Sequence, residues 1–303
     1  EARLIKTIWP TAALIVYPEL WGSARALGVG FDQRRAPLSP AEQRTINLQN
    51  AITADAMARA DALVVPTAFQ RDSFPAPWPA RMTCIHEGVA LDRLQADPRA
   101  SVLMPSGQLL DRSDRVITYV SRRFEPLRGI NTFLAALPPL LKRDPCLQVV
   151  MVGGQGSGYS VDSNRELEEL LSAIDECRVH QVGHLSHAEL TALFQISSAH
   201  VYLTYPYTLS WSVLEAMACG APVVGNHGGP LDEVITHDSN GLLIDFNAPE
   251  QLSAALQQLL DQPELRLRLG HAARRTVEGN YSLTAALAGY DALFNQLCPA
   301  AGS

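Results

Sequence analysis

Residues 204–224, TYPYTLSWSVLEAMACGAPVV, contain the pattern that decides the fold. The apolar run HVYL at 200–203 comes directly before them and predicts a β-strand, and residues 222–224 predict the next one. A polar loop, a helix-length segment and a Cys-Gly-Ala turn lie between these two runs. Since parallel sheets are built from a strand, a helix and a second strand in this order, the stretch predicts an α/β fold.

The same alternation continues on both sides of this stretch. Helix-length segments separate six candidate strands, at residues 116–120, 147–152, 179–182, 200–203, 222–224 and 242–244. Six strands with intervening helices are typical of a doubly wound domain, which binds its ligands at the carboxyl ends of the strands. We therefore expect a complete domain of this kind within residues 113–260.

The first third of the chain predicts fewer elements. The residues SPAE at 39–42 begin a helix with a Ser cap, Pro at the first helical position and Glu at the third, and this helix extends to about residue 60. Strands follow at 62–65 and 83–85, and residues 92–114 read as a linker. Two or three strands are too few for a second complete sheet, so we expect only part of a domain here.

Charge excludes some classes of partner. The chain has 303 residues, 47% of them apolar, and a formal net charge of −7, which disfavours binding to nucleic acid. Residues 1–112 contain 12 basic and 11 acidic side chains, whereas residues 113–303 contain 12 basic and 20 acidic ones. Four of the latter 12 are Arg115, Arg122, Arg123 and Arg128, so a cluster of positive charge lies within an acidic half.

Cysteine usage and hydropathy predict a cytoplasmic protein. The five cysteines are widely spaced and form no Cys-x-x-Cys pair, which argues against a disulfide framework and against a zinc ribbon. No apolar run approaches the length of a membrane span, and the first residues lack the pattern of a signal peptide.

The arginine cluster follows the first strand of the predicted domain. Arginines at the carboxyl end of a strand face the ligand crevice, and a guanidinium suits a diphosphate because it donates two parallel hydrogen bonds and stays charged. Arg122, Arg123 and Arg128 are therefore candidate diphosphate ligands. The alternative is a solvated loop whose arginines pair with Glu125 or other acids nearby.

The segment after the fourth strand of this domain predicts a second group of ligands. Ser210 or Ser212 can cap a helix whose first free amides point into the crevice, where they could bind phosphate or hydroxyl groups. Glu215 lies one turn into this helix, and its carboxylate could accept hydrogen bonds from two adjacent ribose hydroxyls. The alternative is an ordinary surface glutamate.

Three motifs in order resemble a known family. LEAMACGAPVV at 214–224, HGGPLDE at 227–233 and NGLLI at 240–244 are similar to the donor-binding half of the retaining family 4 glycosyltransferases, which have the GT-B fold. The resemblance implies two Rossmann-like domains that face a crevice, the first only partly represented. Residues 1–112 would be a partial acceptor-side domain with a linker, 113–280 the nucleotide-sugar-binding domain, and 281–303 a helix that packs back toward the first domain.

The resemblance also implies roles for individual residues. Arg122 or Arg123, together with Arg128 in place of the family's Lys, would hold the donor diphosphate, and Glu215 would hold the nucleotide ribose. The first glutamate of the family's Glu-x7-Glu signature falls on Tyr207, so we expect a variant site in which Tyr207 joins the three arginines as a candidate catalytic residue. The remaining candidate nucleotide-sugar ligands are Ser210, Trp211, Ser212, Leu214, Gly153, Gly154, Gly228 and Gly229.

The implied activity is retaining sugar transfer from a nucleoside diphosphate sugar to an acceptor hydroxyl, with no metal and no cofactor besides the donor substrate. The implied acceptor is a glycan, a lipid-linked molecule or a small molecule, in bacterial glycan synthesis, with no nucleic-acid partner. Peripheral membrane association through residues preceding Glu1 is a further option. The alternative is a sugar-nucleotide binding module, or an inactive glycosyltransferase-like partner, that performs no transfer.

Three other features are interpreted as structural. The glycine-rich residues 153–158 lack the spacing of a dinucleotide-binding motif, so they predict a crevice loop. His180, His184 and His187 have no evident fourth metal ligand. Cys219 has no obvious base partner, which predicts a small buried side chain instead of a nucleophile.

Overall fold

A computed structural model describes residues 2–155, 161–172 and 177–298 of the chain. The chain divides into two compact units. Unit 1 comprises Glu1–Gly88, Pro206–Leu209 and Tyr281–Ser303, and unit 2 comprises Val89–Tyr205 and Ser210–Asn280. None of the helices in the described ranges combines the length and apolar composition that a bilayer-crossing segment needs.

Unit 1 is built around a small parallel sheet. Its elements up to residue 88 are α1 (Ala2–Ile8), β1 (Ile15–Val16), α2 (Pro40–Arg59), β2 (Ala62–Val65), α3 (Ala68–Asp72), a 3-10 helix (Trp78–Arg81) and β3 (Met82–Cys84). The strands lie in the order β1-β2-β3 and are all parallel. Met57 of α2 packs against Leu63 and Val65 of β2 in the core of the unit.

The start of α2 confirms the predicted capping box. The Ser39 hydroxyl accepts a hydrogen bond from the backbone N–H of Glu42 at 3.2 Å, and the Glu42 carboxylate accepts one from the Ser39 N–H at 2.8 Å. Pro40 occupies the first helical position, where its missing N–H has no intrahelical partner to lose. Local sequence alone therefore places this helix end. A side-chain cap of this kind stabilises a helix by about 1 kcal/mol.

Unit 2 contains all six strands predicted for the second domain. Its elements are β4 (Ser101–Leu103), β5 (Leu109–Asp111), β6 (Arg115–Phe124), α4 (Ile130–Arg143), β7 (Leu147–Gln155), α5 (Val161–Ser172), β8 (Val179–Gln181), α6 (His187–Ile196), β9 (Ala199–Tyr202), α7 (Trp211–Ala218), β10 (Val223–Asn226), β11 (Leu242–Ile244), α8 (Pro249–Asp261) and α9 (Pro263–Asn280). Two 3-10 helices, Pro126–Arg128 and Pro230–Glu233, follow β6 and β10. The prediction of these strands is confirmed.

The sheet of unit 2 is doubly wound. Its strand order is β11-β10-β9-β6-β7-β8, and every pair is parallel. The chain proceeds from β6 to β7 on one side and later returns to place β9 on the other side. The carboxyl ends of β6 and β9 therefore flank the point where the strand order reverses, which is the usual ligand crevice in this architecture.

Residues 101–111 differ from the predicted linker. β4 and β5 form an antiparallel hairpin that pairs Val102 with Leu110. Both of these side chains are buried in a cluster with Val116 of β6 and Ile196 of α6. The segment thus belongs to the core of unit 2, and its three-residue strands are too short to show a clear period in the sequence.

The last helix, α10 (Leu283–Leu297), belongs to unit 1. Its Leu293 packs against Val64 of β2 and Ile85 in a second apolar cluster of that unit. Gly88 makes a close approach to the start of the helix: its φ is 76°, and a Cβ there would lie 2.6 Å from the Leu283 Cα. The chain therefore turns at Gly88 in a conformation that favours glycine.

Candidate functional site

The candidate site lies at the carboxyl edge of the unit 2 sheet. Arg128 occupies the central position, at the end of the 3-10 helix that follows β6. Its guanidinium Nη1 donates hydrogen bonds to the Tyr202 hydroxyl at 3.0 Å and to the Thr204 hydroxyl at 2.9 Å. Both partners lie at or just after the end of β9, so Arg128 connects the two strands that flank the reversal point.

The backbone around Arg128 is also held in place. The buried hydroxyl of Tyr119 on β6 donates to the Arg128 carbonyl oxygen at 2.8 Å. Burial raises the pKa of the Tyr119 phenol, so the group remains a neutral donor. The next residue, Gly129, is left-handed with φ of 66°, and a Cβ on it would lie 2.5 Å from the Leu203 side chain. Glycine at 129 therefore permits the turn that aims Arg128 across the crevice.

Tyr202 connects Arg128 to the start of α7. Its hydroxyl accepts a hydrogen bond from the backbone N–H of Ser210 at 2.9 Å. Ser210 is the N-cap residue by position, but its side chain makes no capping bond and lies 3.0 Å from the Ser212 hydroxyl. The first turn of α7 thus has no side-chain cap, and its positive helix end lies next to the residues that hold Arg128.

Glu215 lies one turn into α7, with 16% of its side chain exposed. Its Oε1 is 3.1 Å from Nε2 of His187, the first residue of α6. The imidazole therefore holds one carboxylate oxygen at the edge of the crevice. From sequence, His187 is weighed only as a metal ligand, because nothing in the local pattern shows that residues 187 and 215 are adjacent.

The other two α7 candidates differ in exposure. Trp211 is 58% exposed at the first helical position, whereas Leu214 is fully buried. The side chain of Leu214 packs in the core, so a ligand could meet Trp211 but not the Leu214 side chain.

Arg122 and Arg123 are exposed near the end of β6, where the strand pairing shifts in register after Val120. Arg123 lies beside Gly154 in the β6–β7 pairing. At the preceding glycine, Gly153, φ is 145° and a Cβ would lie 2.1 Å from the Ser121 carbonyl oxygen, so only glycine fits. Both arginines and both glycines thus lie at the carboxyl edge. Residues 156–158 of the predicted glycine-rich loop lie outside the described residues.

Gly228 and Gly229 follow β10 at the same edge. The Gly228 N–H donates to Asp232 Oδ2 at 2.8 Å, and the other carboxylate oxygen is 3.2 Å from His227 Nδ1. Gly228 has φ of 87°, which favours glycine. Asp232 therefore fixes this turn from within the 3-10 helix that follows.

Asn226 is a site-building residue that the sequence did not indicate. Its buried amide accepts from the Thr204 N–H at 2.8 Å and donates to the Thr204 carbonyl at 3.0 Å. These bonds hold the chain after β9, and with it the Thr204 hydroxyl that orients Arg128. Thr204 and Asn226 each lie near the end of a predicted strand, and that position is the signal that could have identified them.

Tyr207 does not belong to the same unit as these residues. It belongs to the short segment Pro206–Leu209 of unit 1, where it lines a cavity with residues of β1 and α2. The structure thus groups the three arginines, the α7 residues and the four glycines in unit 2 and assigns Tyr207 to unit 1.

The surroundings of His180 and Cys219 are those of structural residues. His180 is buried and its Nε2 is 2.8 Å from Gln148 Oε1, and the described residues contain no cluster of three potential metal ligands. Cys219 is buried, and burial raises the pKa of its thiol to about 12, which opposes a nucleophilic role.

Two family models match the chain. Residues 106–276 match the model described as glycosyl transferases group 1, and residues 1–94 match the glycosyl transferase family 4 group. A D-inositol 3-phosphate glycosyltransferase of Streptomyces griseus is 30% identical over 265 residues, which are 82% of this chain and 54% of that protein. The corresponding protein of Rhodococcus jostii is 30% identical over 75% of this chain and 50% of its own length. The chain thus spans about half the length of these relatives.

Solved structures share the fold at lower identity. Sucrose-phosphate synthase from Thermosynechococcus elongatus aligns with a TM-score of 0.73 and 23% identity, over 95% of this chain and 68% of that one. Anabaena HepE in complex with UDP-glucose aligns with a TM-score of 0.74 and 15% identity, over 97% of this chain and 75% of that one.

Proposed function

The chain belongs to the group 1 glycosyl transferases and has the α/β GT-B fold that the sequence predicted, and from this premise we propose that it transfers a sugar from a nucleoside diphosphate sugar to an acceptor hydroxyl. Retention of configuration and independence from metal ions are part of the proposal. The observation that supports it best is the placement of Arg128 between β6 and β9, beside the uncapped start of α7.

Arg128 and α7 would bind the donor diphosphate. The Tyr202 and Thr204 hydroxyls orient the Arg128 guanidinium, and neither of them carries a charge. The amides in the first turn of α7 add a second set of donors, and their helix end favours an anion. Arg122 or Arg123 would supply a further positive charge from the end of β6.

Glu215 would bind the ribose. A carboxylate can accept hydrogen bonds from two adjacent hydroxyls, and the His187 contact leaves Oε2 and one lone pair of Oε1 for this purpose. Because Glu215 lies one turn along α7 from Ser210, a nucleotide could place its diphosphate at the helix start and its ribose at Glu215. The spacing of the two groups on one helix therefore suits a nucleoside diphosphate.

The chemical step needs stabilisation of the leaving diphosphate. Negative charge grows on this group as its bond to the sugar breaks, and fixed positive groups lower the energy of that transition state. Arg128 is the best-oriented such group among the described residues of the edge, and this supports the metal-independent form of the proposal. The proposal of retention rests on the family 4 resemblance, in which the acceptor approaches from the donor's own face.

Titration calorimetry with UDP tests the proposed donor site. UDP is the first probe because HepE, a structural neighbour, was solved with UDP-glucose. We expect Arg128→Ala to weaken UDP binding at least tenfold, since it removes a charge-assisted contact that is worth about 1.5–3 kcal/mol. Arg275→Ala removes an equal charge from the exposed surface of α9 and should leave the Kd within twofold. An unchanged Kd for Arg128→Ala would refute the assignment.

A binding module without transfer activity is the second candidate. The observation that favours it is Tyr207, which stands where the family resemblance expects a glutamate and which lines a cavity of unit 1. Release of UDP from bound UDP-glucose during incubation with acceptor alcohols separates the two. Turnover supports the transferase, whereas tight binding of intact UDP-glucose without release favours the module.

A further inference from the structure

Unit 1 contains a cavity of about 490 Å³ at the carboxyl end of β1. Val16 and Tyr17 at the end of this strand form one side of it, and residues of α2 and of the loop after β1 form another. Tyr207 completes the lining, three residues before the N-cap of α7. Because ligands of open α/β sheets bind at the carboxyl ends of strands, the position is that of a binding site.

Part of the cavity lining is apolar. Val16, Leu20, Leu27 and Ile46 contribute to it, and Ile52 is 45% exposed although it carries a large apolar side chain. Contact between these side chains and an apolar group of a ligand stabilises the complex by about 25 cal/mol per Å² of apolar surface removed from water.

Two polar residues of the lining are held in place. The Tyr17 hydroxyl donates to Glu87 Oε1 at 2.5 Å, and burial followed by the Glu87 contact raises the pKa of this phenol, so that it stays neutral. The Asn50 amide exchanges two hydrogen bonds of 2.9 Å with the backbone of Gly22. A Cβ on Gly22 would lie 3.1 Å from the Asn50 Oδ1, so this close contact suits glycine. The walls are therefore preorganised for a ligand.

The lining carries no positive charge. None of the described residues that line the cavity is Lys, Arg or His, whereas Glu19 lies on the lining and Glu87 accepts a hydrogen bond from Tyr17. A phosphate or carboxylate placed here would meet like charge, and none of these lining side chains is a cation that offsets it. Gln49 and Thr53 also line the cavity, and their amide and hydroxyl are groups that can hydrogen-bond to neutral hydroxyls.

We propose that this cavity receives the acceptor, and that the acceptor is an uncharged molecule that carries hydroxyl groups and an apolar substituent. The inference rests on the proposed function, since it names the acceptor class of the same reaction. An alkyl glycoside is the simplest molecule of this class. The apolar residues of the lining cover its alkyl chain, and the polar groups bind its sugar.

Binding of a matched ligand pair to the protein with saturating UDP tests the proposal. Octyl β-D-glucopyranoside, below its micelle concentration, and its 6-phosphate differ only in the charged group. Titration calorimetry should show binding of the neutral glycoside and at least tenfold weaker binding of the phosphate. Gln49→Arg adds a cation to the lining and should improve binding of the phosphate at least tenfold. Leu48→Arg adds the same charge at a neighbouring position that is 63% exposed and does not line the cavity, so it should change neither Kd.

The outcomes separate this inference from the proposed function. Phosphate binding as tight as that of the neutral glycoside, or an equal gain with Leu48→Arg, would overturn the uncharged class. Absence of glycoside binding in a protein that binds UDP in an Arg128-dependent way would overturn the acceptor cavity and leave the donor site standing. Absence of UDP binding would count against the proposed function instead.

Discussion

His187 of α6 and Glu215 of α7 form a contact between their two helices, in which His187 Nε2 lies 3.1 Å from Glu215 Oε1. A carboxylate accepts hydrogen bonds, so Nε2 carries the proton in this contact. The imidazole is 56% exposed and the carboxylate 16% exposed. His187 is thus a candidate positioning residue for the proposed ribose ligand.

His187→Ala is expected to weaken UDP binding about threefold to tenfold. Without the imidazole, the Glu215 side chain must be ordered when the nucleotide binds, which costs about 0.5–1.5 kcal/mol. Titration calorimetry measures the change. With 2′,3′-dideoxyuridine diphosphate, which lacks the hydroxyls that Glu215 would bind, the variant and the wild type should agree within twofold. His271→Ala, at an exposed position on α9, is the matched control. An equal loss with both nucleotides would show that His187 acts elsewhere.

Gly270→Ala is expected to destabilise unit 2 by at least about 2 kcal/mol. A Cβ at this position of α9 would lie 2.2 Å from the Gly220 carbonyl oxygen, after α7, so the helix would have to move. Gly279 lies on the same helix, and a Cβ added there would have nothing within 4 Å. Gly279→Ala should therefore stabilise by up to about 1 kcal/mol through helix propensity. Urea unfolding of both variants measures the difference, and equal effects would contradict the close packing of α9 on that turn.

Loss of stability in acid is expected from His200. This residue of β9 is fully buried beside Phe194, its Nδ1 is 3.0 Å from the Thr118 hydroxyl, and burial lowers its pKa from 6.5 to about 3. Between these values the unfolded chain binds a proton that the folded chain does not. The part of the free energy of unfolding that depends on a neutral His200 is therefore fully present above about pH 6.5. It decreases as pH falls toward 3, by at most about 1.4 kcal/mol per pH unit.

Urea unfolding at pH 7 and pH 5 measures this contribution. The wild type should lose more stability over this interval than His200→Asn, which has no group that titrates there. Because every other ionisable group is common to the two proteins, the difference between their losses isolates His200. Equal losses would mean that His200 binds its proton equally well in the folded and the unfolded chain, and they would contradict the lowered pKa.

Local sequence predicted the elements whose signals are local. The capping box at 39–42 places the start of α2, and the apolar runs from residue 116 to 244 identify all six strands of the doubly wound sheet. These predictions succeed because a cap involves residues three apart and a buried strand reads as one continuous apolar run. The same reasoning placed the three arginines and the start of α7 at the ligand edge, since strand order alone brings carboxyl ends together.

Contacts between distant residues were beyond the sequence. Arg128 acquires its orientation from Tyr202 and Thr204, more than 70 residues away, and Thr204 is in turn held by Asn226. Each of these polar groups could equally bond to water in an isolated segment. The amino-acid sequence therefore defined which elements form and which edge of the sheet carries the charged residues. The partners of each side chain were settled by packing, because only a folded sheet removes water from them and leaves one arrangement that satisfies their hydrogen bonds.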